Sequence, residues 1–184
     1  FKTGEWIRLV KKGGGEITWD IMRYQDRSIV DILDCIKVSI LGSAATPIQP
    51  ENVYIDTTKF IKMIKKVALR ELLEIHKLEN HKTVLGNSSH VIKSNINSVG
   101  HSLELIRVNN ATLHKVMGAN GYYKTKLDFI YNNLYYHNMS VTDPDYFIIE
   151  DGTRLGEVIL VISIPDDDYS KIHGYFKFVA KIFK

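Results

Sequence analysis

The strongest periodic signal in the chain is KFIKMIKKVALRELLEIHK, Lys59 to Lys77. At 100° per residue, Phe60, Ile61, Ile64, Val67, Ala68, Leu72, Ile75 and Leu78 fall in one arc. Lys59, Lys62, Lys66, Arg70 and Lys77 fall in the opposite arc, with Lys65 on its flank. The pattern predicts a helix over about 57–79, capped by Asp56 or Thr57. Leu69 and Leu73 land among the cations, and Glu71 lands in the apolar arc, where a carboxylate needs a partner. A second helix is predicted over about 28–41. Ser28 and Asp31 have capping-box form, Ile29, Ile32, Leu33 and Ile36 recur at helical spacing, and Gly42, Pro47 and Pro50 end the run.

Elsewhere the period is two. Ile17, Trp19 and Ile21 alternate with Thr18 and Asp20 after Gly13-Gly14-Gly15, which predicts an N-terminal hairpin over 5–24. His90 to Ile96 and His101 to Val108 read as short strands, with Asn109-Asn110 turning the chain onto Ala111 to Met117. Lys126 to Asn138 fits a helix through Leu127, Ile130, Tyr131 and Leu134, while its aromatic richness suits a strand. Strands are expected at Asp145–Glu150, at Leu155–Ile164 and at Tyr175–Phe183. The nearly continuous apolar run from Val158 marks the second as central or covered on both faces. In the third, Lys177 and Lys181 fall on the outer face. The expected fold is a single α+β domain over 1–184, an antiparallel sheet packed on two to three helices.

Composition adds limits. Apolar residues make up 45% and charged residues 24%, a globular balance, and no apolar run reaches the roughly 18 residues of a membrane span. The first residues contain no apolar signal-peptide core, and the chain starts without Met, as a fragment would. The single cysteine, Cys35, excludes an internal disulfide and reads as a small core residue. Net charge is +3, so the placement of the cations matters more than their sum.

No catalytic constellation is evident. Gly13-Gly14-Gly15 lacks the Lys-Ser/Thr of a phosphate loop, and the histidines from His81 to His114 have no zinc-motif spacing. Asp166-Asp167-Asp168 suits a solvated turn better than a metal site. Tyr122, Tyr123, Tyr131, Tyr135 and Tyr136 cluster, which fits base stacking or alternate burial. No cofactor is expected. Acids are sparse along the Lys59–Lys77 stripe, where a merely solvated helix usually alternates its charges. Lys59, Lys62, Lys65, Lys66, Arg70, Lys77, Lys177 and Lys181 are therefore the candidate contacts to a polyanion.

Two stretches carry a family resemblance. Ile40 to Pro47 follows a predicted helix with Leu-Gly-Ser and then Pro, and Gly156 to Asp168 runs an apolar strand into acids. In this the chain resembles the rhabdovirus matrix proteins, although it shows neither their Lys- or Pro-rich leader nor a Pro-Pro-x-Tyr motif. The resemblance implies a non-enzymatic assembly protein of the virion. Such a protein would self-associate and bind ribonucleoprotein and anionic membrane, in the host cytoplasm and at membrane surfaces. The alternatives are an RNA-binding viral accessory protein and a metal-dependent nuclease using Asp166 to Asp168.

Overall fold

The computed structural model describes residues 3–13, 17–93, 100–119, 121–166 and 174–184. Contacts divide the chain into two compact units. The first comprises Phe1–Thr46 and Pro50–Lys77, the second Pro47–Gln49 and Leu78–Lys184. Strands dominate both. Among the described residues the single α-helix, α1, spans only Leu69–Ile75. The expected sheet-on-helices α+β fold is thus corrected to a mostly β chain.

The first unit contains β1 (Arg8–Lys11), β2 (Asp34–Lys37), β3 (Ile40–Ser43), β4 (Asn52–Ile55) and β5 (Lys62–Lys66). β4 lies between β1, in parallel, and β3, antiparallel, while β5 runs antiparallel to β2. Only Val38 and Ser39 separate β2 from β3, so one bent stretch of chain serves both ladders. Its buried apolar residues are few: Cys35, Ile55, Ile61 and Val67. Cys35 is the small core residue expected.

Both predicted helices of this unit fail for local reasons. In 28–41, Leu33 (φ 67°) adopts left-handed backbone, which a right-handed helix cannot contain, and Arg27, just before this stretch, does the same (φ 69°). The Asp26 carboxylate accepts from Ser28 N (2.9 Å), and Asp31 Oδ1 accepts from Ile32 N (2.8 Å). Such side-chain bonds to the backbone compete with helix formation. The β-branched residues Ile36, Val38 and Ile40 then continue as extended chain. In 57–79, Lys62–Lys66 is a strand whose five residues are all exposed, and the helix shrinks to α1, none of whose residues is buried. Phe60 and Ile64, members of the supposed core arc, are 61% and 60% exposed. The N-terminal hairpin is corrected too. β1 takes its partner from β4, and Thr18–Met22 forms a turn in which Ile21 N and Met22 N both donate to Thr18 O. Gly14 and Gly15 lie outside the described residues.

The second unit contains β6 (Val91–Lys93), β7 (Leu103–Met117), β8 (Tyr123–Tyr131), β9 (Leu134–Val141), β10 (Thr153–Ser163), β11 (Gly174–Phe176) and β12 (Phe178–Phe183). Five of these close a barrel in the order β7-β8-β9-β12-β10 and back to β7. Every barrel pair is antiparallel except β9 with β12, where Phe178 meets Ser140 and Val179 meets Val141. β6 and β11 form a separate two-stranded ladder.

The strand expected at Leu155–Ile164 is present as β10, paired with β7 on one side and β12 on the other. The expected turn at Asn109-Asn110 is instead a bulge within the long β7. Asn110 does take positive φ (53°), but the register slips between Asn109 and Thr112 and the strand continues. Asp145–Glu150 is not a strand; a 3₁₀ turn at Pro144–Tyr146 replaces it. The core is filled by alternate residues, among them Leu127, Phe129 and Tyr131 of β8 and Tyr136 and Met139 of β9. Phe129 and Tyr136 stack at 4.9 Å, and the Tyr136 hydroxyl accepts from Val84 N (2.9 Å).

Replacing Phe129 with Ala removes a fully buried ring from this stack and should cost about 3–5 kcal/mol of unfolding free energy. Urea denaturation checks this; a loss below about 1 kcal/mol would mean that the ring is not packed as described.

Candidate functional site

Period two on β8 decides which side chains face outward. Thr125, Leu127, Phe129 and Tyr131 are buried, so Lys124, Lys126, Asp128 and Ile130 fall on the other face. On β9 the exposed Tyr135 and His137 join them, and His114 of β7 stands opposite Lys126 in the ladder.

Asp128 organises the middle of this face. Its Oδ2 accepts from the Tyr135 hydroxyl (2.6 Å) and lies 2.8 Å from His137 Nδ1, while Oδ1 accepts from Asn138 N (2.8 Å). His114 Nε2 is 3.6 Å away. Burial pushes the Asp128 carboxyl upward, but the Tyr135, Asn138 and His137 bonds outweigh it and hold the group below its ordinary range. Tyr135 and His137 are thereby fixed side by side, rings stacked at 6.0 Å with Tyr135 60% exposed.

Lys126 is different. Its Nζ donates to the Ser140 hydroxyl (2.7 Å), and burial together with the like charge of Lys124 holds its pKa below the ordinary lysine value. A half-buried ammonium next to another cation is stabilised by an incoming anion. Beside it, Tyr123, Lys124, Ser140, Thr142, Phe147 and Phe178 line an open groove of about 450 Å³. Tyr122 and Tyr123, at the β7–β8 loop, are 73% and 65% exposed. Of the five clustered tyrosines, Tyr131 and Tyr136 are core, while Tyr122, Tyr123 and Tyr135 are exposed.

The candidate cations named from sequence do not form one stripe. Lys65 pairs with Glu71 (2.5 Å), the partner Glu71 was expected to need. Lys66 pairs with Asp31 (2.7 Å) and Lys59 with Asp56 (3.3 Å). Arg70 is on α1, and Lys77 follows it. Lys59 and Lys62 do come together, lining with Lys37 and the exposed Phe60 an open cleft of about 390 Å³ in the first unit.

Lys177 and Lys181 lie in the second unit and are not on its outer surface as expected. Lys181 pairs with Asp143 (3.1 Å) and with Asp145. Lys177 is 1% exposed, its Nζ donating to Val84 O (2.5 Å), Asn87 O (2.7 Å) and Asn87 Oδ1 (2.9 Å), 6.0 Å from the Tyr136 ring centroid. Of the acidic triplet, Asp167 and Asp168 lie outside the described residues.

Sequence reasoning missed Lys124, Lys126, Asp128, His114 and His137. The signal was present: Lys124, Lys126 and Asp128 alternate strictly with Thr125, Leu127 and Phe129. A helix through Leu127, Ile130 and Leu134 competed with it and scrambled the faces.

A five-stranded antiparallel barrel in which the third and fifth strands meet in parallel is the OB fold. As a class, OB barrels take oligonucleotides and oligosaccharides on the face of their second and third strands, here β8 and β9. The chain belongs to the family of dual OB-containing domains, whose family model matches residues 1–182. This overturns the resemblance to rhabdovirus matrix proteins, and with it the reading as a virion assembly protein. No curated protein and no solved structure matches the chain.

Burial lowers the pKa of Lys177 to about 7, opposed in part by the charge of Glu104. Between that value and the ordinary 10.5 the folded chain binds fewer protons than the unfolded one, so this group makes stability rise with pH across the window. Urea midpoints from pH 7 to 10 should climb in the wild type and lose that component in Lys177→Met. Parallel slopes in the two would contradict a depressed lysine.

Proposed function

We propose that this protein binds single-stranded nucleic acid across the outer face of β8 and β9 and carries out no catalysis there. The observation that supports this most is Lys126, an ammonium set into the barrel wall beside Lys124, with Ser140 as its hydrogen-bond partner. A phosphate oxygen at that point would relieve the repulsion between the two cations. Tyr135 stands exposed on that face and Tyr123 is exposed at the start of β8, and every base has a π-face for such rings to stack on. The Asp128 bonds supply rigidity, since a ring held by a carboxylate loses less conformational freedom on binding. Lys37, Lys59, Lys62 and Phe60 repeat the combination of cations and an aromatic ring in the cleft of the first unit.

Fluorescence anisotropy with labelled single-stranded oligonucleotides tests the reading. Affinity should fall linearly with salt on logarithmic axes, and Lys124→Ala with Lys126→Ala should flatten the slope by about 1.4, roughly 0.7 per lost phosphate contact. Tyr135→Ala should weaken binding by about 1–3 kcal/mol. Salt-independent binding, or a slope unchanged without the two lysines, would reject this face.

A further inference from the structure

A second cluster of chemistry-bearing groups lies apart from the β8–β9 face, at the start of β7. Glu79 N donates to Leu105 O (2.9 Å) and Leu105 N returns a bond to Glu79 Oε2 (2.7 Å), which ties the segment after Leu78 to β7. Asn132, in the β8–β9 turn, donates to His81 O (2.6 Å). These bonds bring His81 against Glu104 of β7, while His101 approaches the same carboxylate from three residues upstream.

The convergence is tight. Glu104 is fully buried, and its Oε1 lies 2.9 Å from both His81 Nδ1 and His101 Nε2. The three ligand-capable atoms all lie within 4.8 Å of one another. Two imidazoles aimed at one oxygen of a buried carboxylate make an N₂O donor set. In a tetrahedral zinc site, bonds of 2.0–2.2 Å put neighbouring donors about 3.3 Å apart. The two 2.9 Å separations lie close to that value, so small ring rotations would seat an ion in place of the two hydrogen bonds. The other carboxylate oxygen, Oε2, accepts from Leu85 N (3.0 Å), an outer bond of the kind that orients a metal-bound carboxylate. The His81 side chain is half exposed, so an ion would be reached from solvent and would keep an open coordination position.

We propose that His81 Nδ1, His101 Nε2 and Glu104 Oε1 form a three-ligand site for a divalent transition-metal ion of the zinc class. His81 and His101 stand twenty positions apart in the chain and fit no zinc-motif spacing, which is why the sequence reads as metal-free. The site joins the Glu79–Leu85 segment to β7 and does not depend on what the β8–β9 face binds.

Cobalt titration of the chelator-treated full chain tests this, because tetrahedral Co²⁺ has an intense visible band. One equivalent should develop the band, Zn²⁺ should displace it, and His81→Ala or His101→Ala should weaken binding by about tenfold or more. Both histidine side chains are partly exposed, so circular dichroism should report variants that still fold. Zn²⁺ should raise the unfolding midpoint of the wild type and not of the variants. No band in the wild type, or equal affinity in both variants, would overturn the site and leave a carboxylate satisfied by imidazole hydrogen bonds alone.

Discussion

The second unit depends on a short parallel contact. Phe178 and Val179 of β12 meet Ser140 and Val141 of β9, and this pairing turns an open sheet into a closed barrel. Closure pairs the end of β9 with the start of β12 over these two positions. It also encloses the alternate residues of β7, β8, β9, β10 and β12 in one core. Asp143 secures the joint from the side. It is fully buried, accepts from Ile182 N (2.9 Å) and from Lys181 (3.1 Å), and lies just after β9.

From that closure the candidate interface follows. With Leu127, Phe129, Tyr131 and Tyr136 committed inward, Lys124, Lys126, Asp128, Tyr135 and His137 have only the outer face to occupy. The face is stiff because its polar groups bond to one another: Tyr135 and His137 to Asp128, Lys126 to Ser140. Lys177 takes the opposite course. It is drawn inside, where three oxygen acceptors replace water, and it ties the start of β12 to Val84 and Asn87. The first unit has a thinner core, and its ion pairs at Lys65, Lys66 and Lys59 are largely solvent-exposed, where water and salt screen them and such pairs contribute little.

Much of the barrel was legible in the order of residues. Val158 to Ile164 reads as a strand because nearly every side chain is apolar, and it lies almost wholly within β10. Tyr175 to Phe183 reads as extended chain and holds β11 and β12. Cys35 was recognisable as a packed thiol. The helices were misread because apolar spacing of three and four also arises when β-branched residues line bent strands. The periodicity of Ile29 to Ile36 carries no information about the positive φ at Arg27 and Leu33.

What the sequence determined by itself was local: the extended runs of β10 to β12, where Asn110 takes left-handed backbone, and that the chain carries cations and tyrosines suited to a polyanion. Only the tertiary structure decided which of those groups share a surface. Lys177 is buried and Lys124 borders an open groove because of how the strands pair, and strand partners are chosen over separations that no local pattern encodes. His81, His101 and Glu104 likewise meet only because backbone hydrogen bonds between Glu79 and Leu105 fold one segment onto another.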